Sequence, residues 1–169
     1  MNRLDKNRRT QVIRCSVEGN SIRATVRMTE VSKNAIQRLL AALGPACEQF
    51  HDRAIRNLPC KRVQCDEIWS FLAAISGNPN PRHISTSFVE RQNLTMRMQM
   101  RRFTRLTNAF SKKVQNLGYA VALHFMHYNF CRVHQTLRVT PAMEAGLTAH
   151  VWTIEEVVGL LQESVQNAA

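Results

Sequence analysis

Ser32-Lys33-Asn34-Ala35-Ile36-Gln37-Arg38-Leu39-Leu40-Ala41-Ala42-Leu43-Gly44-Pro45 is the stretch on which the fold turns. Ile36, Leu39, Leu40 and Leu43 recur at i, i+3, i+4 and i+7, the spacing of a buried helical stripe. Ser32 stands where a hydroxyl can accept a hydrogen bond from the first free N–H groups of that helix. Gly44-Pro45 predicts its stop, a residue free to turn followed by one that cannot continue a helix. On the opposite face lie Lys33, Asn34, Gln37 and Arg38. Asn and Gln match the edge of adenine, and Arg and Lys match guanine or phosphate.

Working outward, residues 9–15 predict a short basic helix closed near Gly19, and Ser21 caps a second helix over 21–28. Thr29-Glu30-Val31 then forms the turn into the helix at 32–43. Two short helices, a tight turn and a polar-tipped second helix make a helix-turn-helix, with 32–43 as the recognition helix. The same pattern also describes an amphipathic helix hairpin with a solvated polar face. Glu30 falls where such turns place a left-handed residue, which costs a non-glycine side chain roughly 1 kcal/mol.

Charge supports the nucleic-acid reading. The 169 residues hold 23 Lys and Arg against 12 Asp and Glu, a formal net charge of +11. Residues 1–60 carry 11 basic and 5 acidic groups and residues 61–113 carry 10 and 3, whereas residues 114–169 carry 2 and 4. A basic excess confined to the first two thirds predicts a polyanion-binding surface there. The 44% hydrophobic content excludes a disordered tail. Five irregularly spaced cysteines predict reduced thiols. The gaps among Cys47, His51, Cys60 and Cys65 match no structural zinc pattern, so buried thiols are expected. The start of the chain lacks the apolar run of a signal peptide, and residues 120–131 are too short and polar to span a bilayer. A cytoplasmic protein with no membrane partner is expected.

Two acids outside the hairpin stand in unusual settings. Asp66 sits in Lys61-Arg62-Val63-Gln64-Cys65-Asp66-Glu67-Ile68-Trp69-Ser70-Phe71, which reads as a strand. Buried aspartate disfavours strands, so Asp66 is either a solvated strand end or a metal ligand. Ser87 and Glu90 form a capping box that opens a helix over 87–102. Glu90, Asn93, Arg97 and Arg101 then share one stripe, an acid followed by groups that can align a DNA backbone, or simply a solvated face. Met96, Met98 and Met100 are expected to pack in the core.

The segments 65–71, 89–106 and Tyr128-Asn129-Phe130-Cys131-Arg132-Val133-His134-Gln135-Thr136-Leu137, with Thr140-Pro141-Ala142, resemble transposases of the insertion-sequence-1 family. The resemblance covers nearly the whole chain and is most specific from residue 85 to 141. The family usually has glycine where Glu30 stands. The resemblance implies a ribonuclease H-like catalytic domain, an Asp-Asp-Glu triad and two Mg2+ or Mn2+ ions. In that triad Asp66 matches the first member, Glu90 the third and Arg97 the basic position on the same helix. Two metals about 4 Å apart would activate a nucleophile and stabilise the leaving oxygen of a phosphodiester.

The second aspartate has no counterpart, because no acid occurs from residue 68 to 89. The strands and helix that the family places there do not fit in the 23 residues between Asp66 and Glu90, so an internal deletion is expected. The expected fold class is mainly α: a helix-turn-helix domain at 1–58, then a truncated ribonuclease H-like remnant at 59–169. That remnant holds one strand near 61–73 and long helices at 87–102 and 111–135, a short helix after Pro141 and another over 153–164.

The function this implies is DNA transposition, beginning with binding of double-stranded terminal inverted repeats. Asp66 and Glu90 are the catalytic and metal positions. Lys33, Asn34, Gln37, Arg38, Asn93, Arg97 and Arg101 are the DNA-binding ones. A second copy of the chain, or an intact transposase chain, is the expected protein partner. The alternatives are a non-catalytic repressor of transposition and a generic helix-turn-helix regulator.

Overall fold

A computed structural model describes residues 4–56, 87–103 and 113–166. They form seven α-helices, with no strand among the described residues: α1 (Lys6–Val17), α2 (Ile22–Thr29), α3 (Lys33–Ala54), α4 (Ser87–Gln99), α5 (Val114–Met126), α6 (Pro141–Glu144) and α7 (Ile154–Gln166). The mainly α expectation therefore holds for these residues. The strand expected near 61–73 and the domain boundary expected near 58 lie outside them.

Local signals set the N-terminal helices. Asp5 caps α1, its Oδ1 accepting from the Arg8 N–H at 2.7 Å. Past the end of α1, Gly19 adopts φ 75° while Asn20 N–H donates to the Cys15 carbonyl and Gly19 N–H to that of Ser16. These paired bonds satisfy carbonyls that the last turn leaves free. Ser21 Oγ accepts from Ala24 N–H at 3.1 Å to open α2, and Ser32 Oγ accepts from Ala35 N–H at 3.3 Å to open α3. Glu30 has φ 57° and ψ 12° between them, the left-handed turn residue anticipated from its position. Val31 in this turn is 2% exposed and pins the turn to the core.

The expected stop at Gly44-Pro45 is overturned, for α3 runs on to Ala54 with Pro45 inside it. The buried stripe continues past the proline, through Ile36, Leu39, Leu43, Ala46, Cys47 and His51. The bond that Pro45 cannot make would go to the carbonyl of Ala41, an exposed residue, so water can satisfy that group. Gly44 is a crossing point rather than a cap. A Cβ there would lie 2.3 Å from Cβ and 2.4 Å from Cγ of Tyr119 in α5.

One core joins both ends of the chain. Val12 and Ile13 of α1 and Ile36, Leu39, Leu43 and Cys47 of α3 pack with Ala122, Leu123 and Met126 of α5 and with Val157, Val158 and Leu160 of α7. Arg14 of α1 bonds Glu155 of α7 at 2.7 Å across the exposed rim. A capping box opens α7, with Thr153 N–H donating to Glu156 Oε2 at 2.7 Å and Glu156 N–H to Thr153 Oγ1 at 3.3 Å.

The helix expected over 111–135 ends early. After Met126 the chain widens into one π turn, His127–Cys131, and becomes extended at Arg132. The widened turn seats Phe130, which is fully buried, with its ring centroid 5.3 Å from that of Phe50 and 5.2 Å from that of Trp152. Trp152 N–H donates to the Phe130 carbonyl at 2.9 Å, fixing the turn from the other side.

A smaller cluster holds α4 on α5 through Met96, Met100 and Val121. The core expectation holds for Met96 and Met100 but fails for Met98, which is 76% exposed. Two residues along a helix turn the side chain about 200°, so Met98 faces away from Met96.

Candidate nucleic-acid interface

The polar face of α3 is where the sequence places it. Lys33, Asn34, Gln37 and Arg38 are all exposed on its first two turns, while Ile36 and Leu39 between them are buried. Burial of the apolar stripe against α1, α5 and α7 fixes the rotation of the helix about its axis. The polar side chains are therefore presented outward by packing rather than by their own contacts.

Asn34, Gln37 and Arg38 also form one wall of a cleft of about 760 Å³. Gln99, Met100 and Arg101 enter from the end of α4, and Lys113, Gln115, Asn116, Tyr119 and His124 come from the start and inner face of α5. No acid occurs among the described residues that line it. A close approach explains why the end of α4 arrives there. A Cβ on Gly19 would lie 2.6 Å from the carbonyl oxygen of Gln99, so the α1–α2 turn seats the α4 terminus directly. Gly19 is thus required both for its positive φ and for this contact.

Arg101 departs from its expected place. The helix ends at Gln99, and residues Arg101–Phe103 form a separate 3₁₀ turn, so Arg101 leaves the stripe of Asn93 and Arg97. Burial of Met100 against Val121 turns the chain there. As a result Arg101 joins the α3 residues across the cleft. Arg97 is exposed and Asn93 half-buried on α4, and neither lines the cleft.

The described residues do not carry the expected catalytic pair. Asp66 lies outside them, and so does the side chain of Glu90, of which only the backbone is placed, on α4. The capping bond expected between Ser87 and Glu90 falls there too, although α4 does open at Ser87. Both ligands that the resemblance implies for Mg2+ or Mn2+ thus lie outside the described side chains. No group of three or more His, Cys, Asp or Glu side chains placed to hold a metal occurs among the described residues.

Three buried groups are held uncharged. Burial is the main cause that lowers His124 to a pKa of about 4, with His127 and Arg132 nearby pushing the same way. His51, 2% exposed, is lowered to about 4 by burial, against a small opposing effect of Asp52. The Cys47 thiol is raised to about 12 by burial and the neighbouring Cys131, which makes it an inert core group. The expectation of a buried thiol holds at Cys47.

The sequence reading missed the far wall of the cleft. Lys113, Gln115 and Asn116 repeat the cation-plus-amide composition of the α3 face, and that repetition was the available signal. No helix among the described residues is long and apolar enough to cross a membrane. Comparisons with protein families, with curated proteins and with solved structures find no match for this chain.

Proposed function

We propose that this chain binds double-stranded DNA through α2, the Glu30 turn and the first half of α3, used as a helix-turn-helix. The observation that carries the reading is the face formed by Lys33, Asn34, Gln37 and Arg38. It is exposed along two turns of a helix whose other side is locked in the core. Gln37 and Asn34 suit base edges, Arg38 suits guanine or phosphate, and Lys33 suits phosphate as a point charge. Arg101 and Lys113 extend the same electrostatic sign across the cleft.

The resemblance of the segments at 65–71 and 85–141 to insertion-sequence-1 transposases supplies the rest of the proposal. The duplex is the terminal inverted repeat of an insertion sequence, and Asn93 and Arg97 align its backbone. Asp66 and Glu90 are what remains of the metal-binding triad. With no acid between residues 68 and 89 the second carboxylate of the triad is absent, and hard divalent cations require oxygen ligands. The chain therefore binds repeat DNA without cutting it. That missing acid favours a second reading within the same class, a repressor that occupies the repeats against an intact transposase.

The test is duplex binding by the full chain as a function of salt. Affinity falls steeply with salt, and Arg38→Ala or Gln37→Ala narrows the gap between repeat and random duplexes. Equal losses on both duplexes for Arg38→Ala would remove α3 as the reading element. Cleavage at the repeat boundary in Mg2+ or Mn2+, abolished by Glu90→Gln, would overturn the non-cutting reading.

A further inference from the structure

Asn34, Gln37, Arg38 and Ala41 are spaced i, i+3, i+4 and i+7 along α3, so they share one stripe of the helix. All four are exposed, and all four line the cleft. Whatever lies against this stripe therefore lies in the cleft and faces its opposite wall, where Arg101, Lys113 and Gln115 stand exposed. Two close contacts hold that wall at a fixed distance from the stripe. The α4 end is seated on Gly19, where a Cβ would lie 2.6 Å from the Gln99 carbonyl oxygen, and α5 is held against α3 at the Gly44–Tyr119 crossing.

DNA geometry then decides what the wall can reach. The major groove is about 12 Å wide, and a helix with its side chains is about 10–12 Å across. Laid in the groove, α3 fills it, so a surface beside the helix meets the sugar-phosphate strand that borders the groove rather than base edges. The cleft, about 760 Å³, has the size of sites that hold one small ligand, about 300–1,000 Å³, which is room for part of one strand and not for a duplex. Its charge also suits a strand. Arg38, Arg101 and Lys113 come from three separate segments, and no acid lines the cleft among the described residues. None of the three cations has an ion-pair partner among those residues. Converging cations repel one another, and a run of phosphates removes that repulsion.

We propose that the wall across the cleft grips the backbone of the strand bordering the groove, with Arg101 and Lys113 each neutralising a phosphate and the Gln115 amide donating beside them. The proposal rests on the DNA-binding reading and adds to it a second contact surface, on the turn after α4 and the start of α5, outside the helix-turn-helix. Because wall and stripe are fixed relative to each other, the grip sets how deeply α3 enters the groove. Phosphate contacts position a protein without reading sequence, so the wall strengthens repeat and random duplexes alike.

The test measures the affinity of the full chain for a short random-sequence duplex over a range of salt concentrations. Each phosphate neutralised contributes about 0.9 to the slope of log affinity against log salt, equivalent to roughly eightfold in affinity at about 0.1 M. Lys113→Gln and Arg101→Gln should each lower the slope by about 0.9, and the double variant by about 1.8. Arg53→Gln removes the same charge from an exposed position about 18 Å along α3 from Ala41, and should leave the slope unchanged. Gln115→Lys adds a cation to the wall and should raise the slope by about 0.9, a gain that no folding defect can mimic. Gln49→Lys, exposed on the far half of α3, should not raise it. Slopes equal to the parent's for all the wall variants would overturn the strand assignment and leave DNA binding by α3 standing. Equal changes for Arg53→Gln and Lys113→Gln would show a response to net charge alone and overturn it too. Failure of the parent chain to bind any duplex would overturn the DNA-binding reading itself. Micromolar binding of inorganic pyrophosphate, lost in Lys113→Gln while the duplex slope stays the same, would reassign the cleft to a free phosphate anion and overturn the strand assignment.

Discussion

Gly44→Ala tests whether α3 passes under α5 where the structure places the crossing. Two effects oppose each other. Replacing a helical glycine by alanine removes backbone freedom from the unfolded chain and gains about 1 kcal/mol. Against this, the new methyl would lie 2.3 Å from Tyr119 Cβ, 2.4 Å from Cγ and 2.6 Å from Cδ1. Cβ is fixed by the backbone, so no rotamer change can clear it and the helices themselves must separate. Overpacking of this kind costs about 1–3 kcal/mol, and the rigidity of the contact places it toward the upper end. The net expectation is a loss of about 1–2 kcal/mol, a fall in Tm of roughly 2–8 °C for a chain of this size. Thermal unfolding followed by far-UV circular dichroism reads it. Tyr119→Ala keeps the offending Cβ and should not rescue the variant, whereas Tyr119→Gly should recover part of the loss. A Gly44→Ala protein more stable than the parent would refute the close crossing.

Pro45→Ala should stabilise the chain by about 1–3 kcal/mol in urea unfolding, because it restores a helical N–H within α3; no change would return Pro45 to a helix end. Glu30→Gly should raise Tm by the equivalent of about 1 kcal/mol, since φ 57° is strained for glutamate and open to glycine. His51 and His124 are uncharged when folded, with pKa values near 4 against an ordinary value of 6.5, so the unfolded chain binds more protons between those limits. Stability is then full above about pH 6.5 and falls toward pH 4, by on the order of a few kcal/mol. A urea midpoint unchanged from pH 7 to pH 5, above the main carboxylate range, would contradict their burial.

How much was legible follows from which interactions are local. Ser21, Ser32, Gly19 and Glu30 act within their own turns, and all four could be placed from the sequence. The exposed face of α3 was equally plain, because a stripe at three- and four-residue spacing fixes the opposite face. Gly44-Pro45 misled because its local meaning, a stop, was outweighed by a distant one. The partner of Gly44 is Tyr119, 75 positions away, and the stripe at Ala46, Cys47 and His51 that would have argued for continuation is diluted by small and polar residues. The cleft was illegible for the same reason. It is assembled from three segments that only the Gly19–Gln99 contact and the α3–α5 crossing bring together.

That long-range assembly bears on what the first sixty residues can do alone. Val12, Ile13, Ile36, Leu39 and Leu43 are each no more than 7% exposed, and their cluster includes Leu123, Met126, Phe130, Val157 and Leu160 from beyond residue 113. A fully buried side chain of this type contributes about 1.5–3 kcal/mol. Removing α5 and α7 uncovers part of each, against a total stability of about 5–15 kcal/mol for a domain. Fragment 4–56 is thus expected to be largely unfolded by circular dichroism. It should still bind DNA, with a steep salt dependence that its cations retain, but equally on repeat and random duplexes, because nothing fixes the rotation of α3. Full-length chain under the same conditions should discriminate between them. A cooperatively folded 4–56 fragment with the parent's sequence preference would show that the hairpin is self-sufficient, and that the shared core serves the second half of the chain rather than the first.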